Sequence, residues 1–467
     1  MTDRELGGAV PLMEPYRIKV VEPIPVLTRA ERTEAMRAAG YNPFNLNADQ
    51  ITIDLLSDSG TGALSAAQQS AAALGDETYA GARSYYRFRD AVTVLTGFDH
   101  VLPVHQGRAA ERILFGALLQ PGALSVSNTH FDTTRANVHL SCGTAVDLPC
   151  AEAKDLDSDD PFKGNIDLDA LEGMLSGPDY VGVVIMTITN NGGGGQPVSM
   201  ANLRAASELC RAHGVPFILD AARFAENAWL VVQREPGWSD KTPAEVARAA
   251  FDLADGAVAS LKKDAIVHMG GFLALRDKDL AARCEAVLIA TEGFRTYGGL
   301  AGRDLEMIAV GLREVVEPSY LRARAAQTEY LAELIEKAGV SIVRPPGIHA
   351  LYLNAGRLLR HLTPADYPGH ALACELYVAG GIRCAELGSL YLGVEDESGV
   401  LVKPAPYELV RLAIPRRVYT QSHLEYVAEV VGEIAKDPES VPGQRIVSAP
   451  DLLRHFHCRT EPVPTAR

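Results

Sequence analysis

From about Ile51 to Ala309, short apolar runs alternate with stretches of helical spacing. His100-Val-Leu-Pro-Val104 is an apolar run that leads into Gln106-Gly-Arg108, and residues 109–119 then repeat apolar positions as one helix face. Residues 180–188 read as a buried strand that ends in a polar, glycine-rich loop. Leu203, Ala206, Leu209 and Cys210 share a helix face, and Gly214 separates them from a strand over 215–220. Gly256-Ala-Val-Ala-Ser260 closes another buried strand. Strands interleaved with helices predict an α/β fold, a mostly parallel sheet covered on both faces. Ligands of such sheets lie beyond the carboxyl ends of the strands, where Gln106, Asn191, Asp220 and Ser260 all fall.

The pattern changes beyond Gly311. A long charged helix, Pro318 to Lys337, leads into strand-like runs at 340–343 and 349–353. Further runs at 381–384 and 408–414 precede a helix near 423–435. The expected organisation is a large domain over 51–310 and a smaller α+β domain over 311–467. Residues 1–50, rich in Pro and charge at the start, are expected to form an arm and part of the small domain.

Composition narrows the class. The chain has 467 residues, 47% hydrophobic and 22% charged, as in ordinary globular proteins. A net charge of −15 argues against a nucleic-acid or anionic-membrane binder. No apolar stretch is long enough to span a bilayer or act as a signal peptide. Seven scattered cysteines without metal-ligand spacing read as reduced thiols, so the expected compartment is the cytoplasm.

The candidate chemistry centres on Lys262-Lys263, just after the strand ending at Ser260. Most such pairs are solvated surface. Beside buried sheet, however, desolvation and a neighbouring cation lower a lysine pKa and favour the free amine that attacks an aldehyde. A Schiff base between Lys263 and pyridoxal phosphate is one candidate. Asp220, at a strand end, either caps the next helix or pairs with a protonated pyridine nitrogen. Arg223 could reach a ring hydroxyl, and Gln106-Gly107-Arg108 precedes a helix whose N-terminus favours phosphate. Asn191 opens a glycine run and could orient a ligand. Arg411, between Val410 and Leu412 in a predicted strand, could clamp a carboxylate or face solvent.

These residues sit within a longer series of motifs. They include Glu14-Pro-Tyr-Arg-Ile-Lys19, Ile53-Asp-Leu-Leu-Ser-Asp-Ser-Gly-Thr61, Gly75-Asp-Glu-Thr-Tyr-Ala-Gly81 and His105-Gln-Gly-Arg108. The series continues with Phe162-Lys-Gly164, Gly194-Gly-Gln-Pro-Val-Ser-Met-Ala-Asn202, Ala222-Arg-Phe-Ala-Glu-Asn-Ala228, Lys262-Lys-Asp264, Tyr297-Gly-Gly-Leu300 and Ile414-Pro-Arg-Arg-Val-Tyr-Thr420. Nearly end to end, the chain resembles the β-eliminating lyases of fold-type-I pyridoxal-phosphate enzymes, the tryptophanase and tyrosine phenol-lyase family.

The resemblance implies a large-domain sheet of seven-stranded type, and it implies roles for single residues. Lys263 would carry the cofactor and remove the substrate α-proton, with Lys262 shaping the polar network beside it. Ser59, Gln106, Gly107, Arg108 and Ser260 would hold the phosphate. Phe131 would stack on the ring, Asp220 would pair with its nitrogen, and Asn191 and Arg223 would contact its hydroxyl. Arg411 would bind the substrate carboxylate, with Asn191, Leu387 and Phe294 also lining the substrate. Tyr79 would be a general acid reaching in from a neighbouring subunit of a homotetramer, a dimer of dimers. Glu77 with the carbonyls of Gly60 and His268 would hold potassium.

Pocket positions bear on the leaving group, which must be protonated at its ring carbon before it departs. Phenol-releasing members use a threonine and an arginine for this, and indole-releasing members an aspartate and a histidine. Here the residue after Phe131 is Asp132, the arginine position is Leu387, and the aromatic position near the C-terminus is His455. All three point to indole, and so to cleavage of the small amino acid L-tryptophan into indole, pyruvate and ammonia. A helix-capping Asp132 and a structural His455 are the bland alternative. Several positions depart from the family pattern: Val104, Ala109, the lengthened run Gly192-Gly193 and Arg295. They leave open a tyrosine phenol-lyase, or a lyase for substituted tryptophan or S-substituted cysteine. An aminotransferase and a non-catalytic pyridoxal-phosphate binder are the remaining alternatives.

Overall fold

The structure is a computed structural model, and it describes residues 13–396, 399–450 and 453–463. The first twelve residues of the expected arm lie outside the described residues. A seven-stranded sheet is the centre of the molecule. Its strands are β1 (His100–Val104), β2 (Leu124–Ser127), β3 (Thr144–Asp147), β4 (Val181–Thr187), β5 (Phe217–Asp220), β6 (Gly256–Ser260) and β7 (Gly271–Leu275). They lie in the order β1-β7-β6-β5-β4-β2-β3. All neighbours run parallel except β7, which is antiparallel to both β1 and β6. The expected α/β class with a mostly parallel sheet is therefore present.

Every residue of β4 is buried, as a strand covered on both faces requires. Alternation sends its side chains into two cores. Val183 and Ile185 meet Ile113 and Leu114 of helix Gly107–Leu118, while Val184 and Met186 join Phe224 and Trp229 of helix Phe224–Arg234 on the other face. A third core gathers Leu331, Ile335, Leu351, Leu372, Leu412 and Val431 around β8 (Ala350–Asn354), β9 (Ala385–Leu387) and β10 (Leu409–Ala413). These last strands form an antiparallel sheet in the order β9-β10-β8. Helix Pro318–Lys337 joins the two parts, with Tyr320 and Leu321 in the large core and Leu331 and Ile335 in the smaller one.

One expectation changes. Residues 340–343 make only a single bridge, Ile342 to Leu353, because Pro345 and Pro346 follow and offer no N–H to a ladder. The N-terminal segment packs on the C-terminal part of the chain. Helix Arg29–Ala38 is capped by Thr28 and Glu31 and buries Ala35 and Met36 against Cys374 and Tyr377 of helix Pro368–Gly380. Among the described residues, no helix is long and apolar enough to cross a membrane.

Candidate active site

Two adjoining cavities open beyond the carboxyl ends of β1, β4, β5 and β6. The inner one, about 610 Å³, is lined by Gln106, Gly107, Thr187, Asn191, Asp220 and Ser260, among others. The outer one, about 950 Å³, reaches Asp132, Leu387, Tyr391, Arg411 and His455. Ser59, Arg108, Phe131, Arg223 and Lys263 border both. Fourteen of the sequence-predicted residues thus surround one continuous space.

Lys263 stands where the two cavities meet. Burial, reinforced by the Arg223 guanidinium, lowers its pKa to about 8, although Asp58 and Asp220 pull the other way. Lys262 is also lowered, by burial and then by Arg108, but it lines neither cavity. Its stem lies over Gly60, where φ is +77° and a Cβ would come within 2.7 Å of Lys262 Cε.

At the inner end, helix Gly107–Leu118 starts directly against the end of β6. A Cβ on Gly107 would fall 2.9 Å from Ser260 Cβ, so glycine permits this approach. The helix N-terminus, Arg108 and the hydroxyls of Ser59 and Ser260 form a cradle suited to a phosphate. At the other end, burial raises the Asp220 carboxyl, which is offset only in part by Lys263 and Arg223. Glu111 lies beside it and is pushed up to about 7, first by burial and then by the Asp220 charge. It is held by Thr134 Oγ1 at 2.7 Å and by Asn137 Nδ2 at 3.2 Å. A buried carboxylate that forms no ion pair among the described residues matches the protonated ring nitrogen of pyridoxal phosphate, and the phosphate cradle and Lys263 match its other groups. The residues present fit that cofactor.

Arg223 has a partner already. Its Nε and Nη2 donate to Asp58 at 3.0 and 2.8 Å. Burial alone would raise the Asp58 carboxyl, but Arg223 and Arg416 outweigh it and hold it well below its usual range. Arg416 also reaches Glu226 and Asp264, each at 2.8 Å. The Asn191 side-chain oxygen accepts from Tyr352 at 2.9 Å and from Arg411 at 3.2 Å, and it lies 2.9 Å from His349 Nε2. Burial and the nearby Arg223 keep His349 neutral. Arg411 also donates to the Leu56 carbonyl at 3.0 Å, and its Nε is buried with no partner among the described residues. An unsatisfied guanidinium N–H at a cavity wall suits an incoming carboxylate.

In the outer cavity, His455 Nε2 lies 3.3 Å from Asp132 Oδ2. Asp132 Oδ1 accepts the Thr133 N–H at 2.5 Å, so Asp132 steadies its helix and faces the cavity at once. Leu387 gives an apolar wall, and Phe44 and Phe456 pack around His455.

The remaining predicted residues lie apart. Tyr79 is 69% exposed and stacks on Phe294 with centroids 5.5 Å apart, and neither borders these two cavities. Gly60 and His268 adjoin, because a Gly60 Cβ would sit 2.9 Å from the His268 carbonyl oxygen. Glu77 instead accepts the Gly302 N–H at 3.4 Å, with no described contact to that pair. Arg295 reaches Glu285 at 3.5 Å and borders neither cavity. Sequence reasoning missed Asp58, Glu111, His349, Tyr352, Tyr391 and Arg416. Asp58 and Arg416 stand inside the recognised motifs, but only the folded contacts reveal their partners.

Comparison with known proteins agrees with this geometry. Residues 54–430 match the model of the beta-eliminating lyase family. The chain is 52% identical over 452 residues to the tryptophanase of Salinibacter ruber, covering 97% of this chain and 96% of that one. It is 42% identical over 451 residues to the tyrosine phenol-lyase of Pasteurella multocida, covering 96% and 98%. The aspartate aminotransferase of Thermotoga maritima shares the fold, with a TM-score of 0.59 at 15% identity over 89% of this chain and 98% of that one. The fold is thus that of fold-type-I pyridoxal-phosphate enzymes. With a family match spanning most of its length and a lysine, a phosphate cradle and a buried carboxylate around one cavity, the chain belongs to the beta-eliminating lyase family and is a pyridoxal-phosphate-dependent carbon–carbon lyase.

Proposed function

We propose that the enzyme cleaves L-tryptophan to indole, pyruvate and ammonia. The observation that carries this reading is the Asp132–His455 pair, 3.3 Å apart in the outer cavity opposite the apolar Leu387. An acceptor pair beside an apolar wall suits an indole, whose ring offers one N–H and no hydroxyl. Pyridoxal phosphate, when bound, supplies an electron sink for carbanion chemistry at the substrate α-carbon. Ser59, Gln106, Gly107, Arg108 and Ser260 would hold its phosphate; Phe131 would serve its ring, Asp220 its nitrogen, and Asn191 and Arg223 its hydroxyl. Arg411 and Asn191 orient the substrate carboxylate. The Lys263 amine takes the α-proton, and Lys262 tunes the polar surroundings from outside the cavity. Asp132 and His455 accept the indole N–H while the ring is protonated at C3.

Tyr79 supplies that proton from a neighbouring subunit, and Phe294 enters with it to face the substrate ring. Their shared exposure on the surface of one chain supports this arrangement. The assembly is a homotetramer, a dimer of dimers in the cytoplasm, and potassium bound by Glu77 and the carbonyls of Gly60 and His268 orders the site. Cofactor-supplemented enzyme is expected to release equal amounts of indole and pyruvate from L-tryptophan, faster in potassium than in a bulky organic cation. Phenol from L-tyrosine with no indole from tryptophan would overturn the reading.

A further inference from the structure

Tyr391 has no role in the scheme above, yet it contacts His455 and shares the outer cavity with both members of the indole-facing pair. Its ring meets the His455 imidazole edge to face, with centroids 4.6 Å apart and planes at 61°. The side chain lines the outer cavity together with Asp132. Burial keeps the phenol neutral, so the hydroxyl retains its proton and its hydrogen-bonding ability.

The segment carrying Tyr391 is itself fixed. Helical turn Ser389–Leu392 receives the Arg454 guanidinium, which donates to the carbonyls of Ser389 and Leu390 at 2.7 Å and of Gly393 at 3.1 Å. The Leu390 N–H donates to Glu386 at 3.1 Å. Arg454 precedes His455, so one guanidinium joins the turn bearing Tyr391 to the turn bearing His455. Asn42 secures the same region from the other side, donating to the carbonyls of His455 at 3.1 Å and Cys458 at 2.9 Å.

We infer that Tyr391 is a positioning residue for aryl leaving groups, setting the imidazole plane of His455 and through it the Asp132–His455 pair so that the pair meets the ring N–H. The inference rests on the proposed tryptophan cleavage. Leaving groups that depart as thiolates need no ring protonation, and they escape this requirement. Preorganised acceptors of this kind lose rate steeply when their orientation loosens.

The test compares Tyr391→Phe, which keeps the ring, with Tyr391→Leu, which also removes the edge contact. Both are assayed on L-tryptophan and S-methyl-L-cysteine, together with Cα-proton exchange of L-alanine in heavy water. In Tyr391→Phe, kcat for tryptophan is expected to fall about 10-fold at nearly constant KM, and in Tyr391→Leu about 100-fold. Turnover of S-methylcysteine and alanine exchange should stay within about twofold, which also shows that the site is intact. Equal losses on all three would mark a merely structural residue and overturn the inference, as would an unchanged rate on tryptophan. Wild-type enzyme that releases no indole would instead remove the proposed function on which the inference rests.

Discussion

Asp132 and His455 are separated by most of the chain, yet their side chains meet with Oδ2 and Nε2 3.3 Å apart. One opens the helix after β2, and the other lies in a short turn near the C-terminus. On the proposed reading, substrate choice is therefore assembled from residues far apart in the sequence. Asp132→Asn and His455→Phe are each expected to lower kcat/KM for L-tryptophan by about 10²-fold or more, as for loss of a positioned proton acceptor. S-methyl-L-cysteine should be cleaved at nearly the original rate. A matched loss on both substrates would deny the pair its role.

Lys263→Ala should abolish the visible absorbance that cofactor linked to this amine gives. Elimination should fall by at least about 10³-fold, as for loss of both a nucleophile and a base. Persistent absorbance in the variant, retained through gel filtration, would place the attachment elsewhere.

The lowered pKa of Lys263 has a signed consequence. Below about pH 8 the amine is an ammonium, and above it is free to attack an aldehyde. At pH 7.5 about a quarter of the amine is neutral, against about a thousandth for an ordinary lysine. Capture of pyridoxal phosphate by the apoprotein should thus quicken with rising pH, with a midpoint near pH 8, and level off about one unit above it. Stopped-flow absorbance across pH 6–10 measures this directly, and a midpoint near 10 would contradict the buried environment.

Asp58→Ala should destabilise the fold as well as the site. It leaves Arg223 and Arg416 buried with one carboxylate fewer, and breaking such a pair costs about 3–5 kcal/mol. Thermal melts of the apoprotein should register this, whereas Asp49→Ala on the surface should melt within about 0.5 kcal/mol of the parent.

Arg411→Ala should raise KM for tryptophan more than it lowers kcat, because its free N–H serves binding in the ground state and transition state alike. Steady-state kinetics decide this. A pure kcat loss would assign Arg411 to the chemical step.

The sequence was most legible where local chemistry repeats. Gly256–Ser260 and Pro318–Lys337 have the bounds that periodicity alone predicts. The strand-end positions of Asp220 and Ser260 also follow from the apolar runs before them. By contrast, the 340–343 run satisfies a local apolar rule and still lacks a ladder partner. Glu111 looks like any acid on an amphipathic helix until Asp220 and Thr134 are folded against it. Tyr391 reads as one of many aromatics until Arg454 brings its turn to His455. Long-range pairing of this kind leaves no periodicity to detect.

The antiparallel strand β7 has a further consequence for Lys263. The connection from Ser260 to Gly271 is closed at its base by the β6–β7 ladder, and its ends are tied again where Leu261 donates to Gly270 and Gly270 to His105. The lysine therefore hangs from a short closed loop whose chain entropy is lost when the sheet forms, long before any ligand arrives. Cofactor capture then has to order only the side chain, and free binding energy is kept for holding the cofactor through many turnovers.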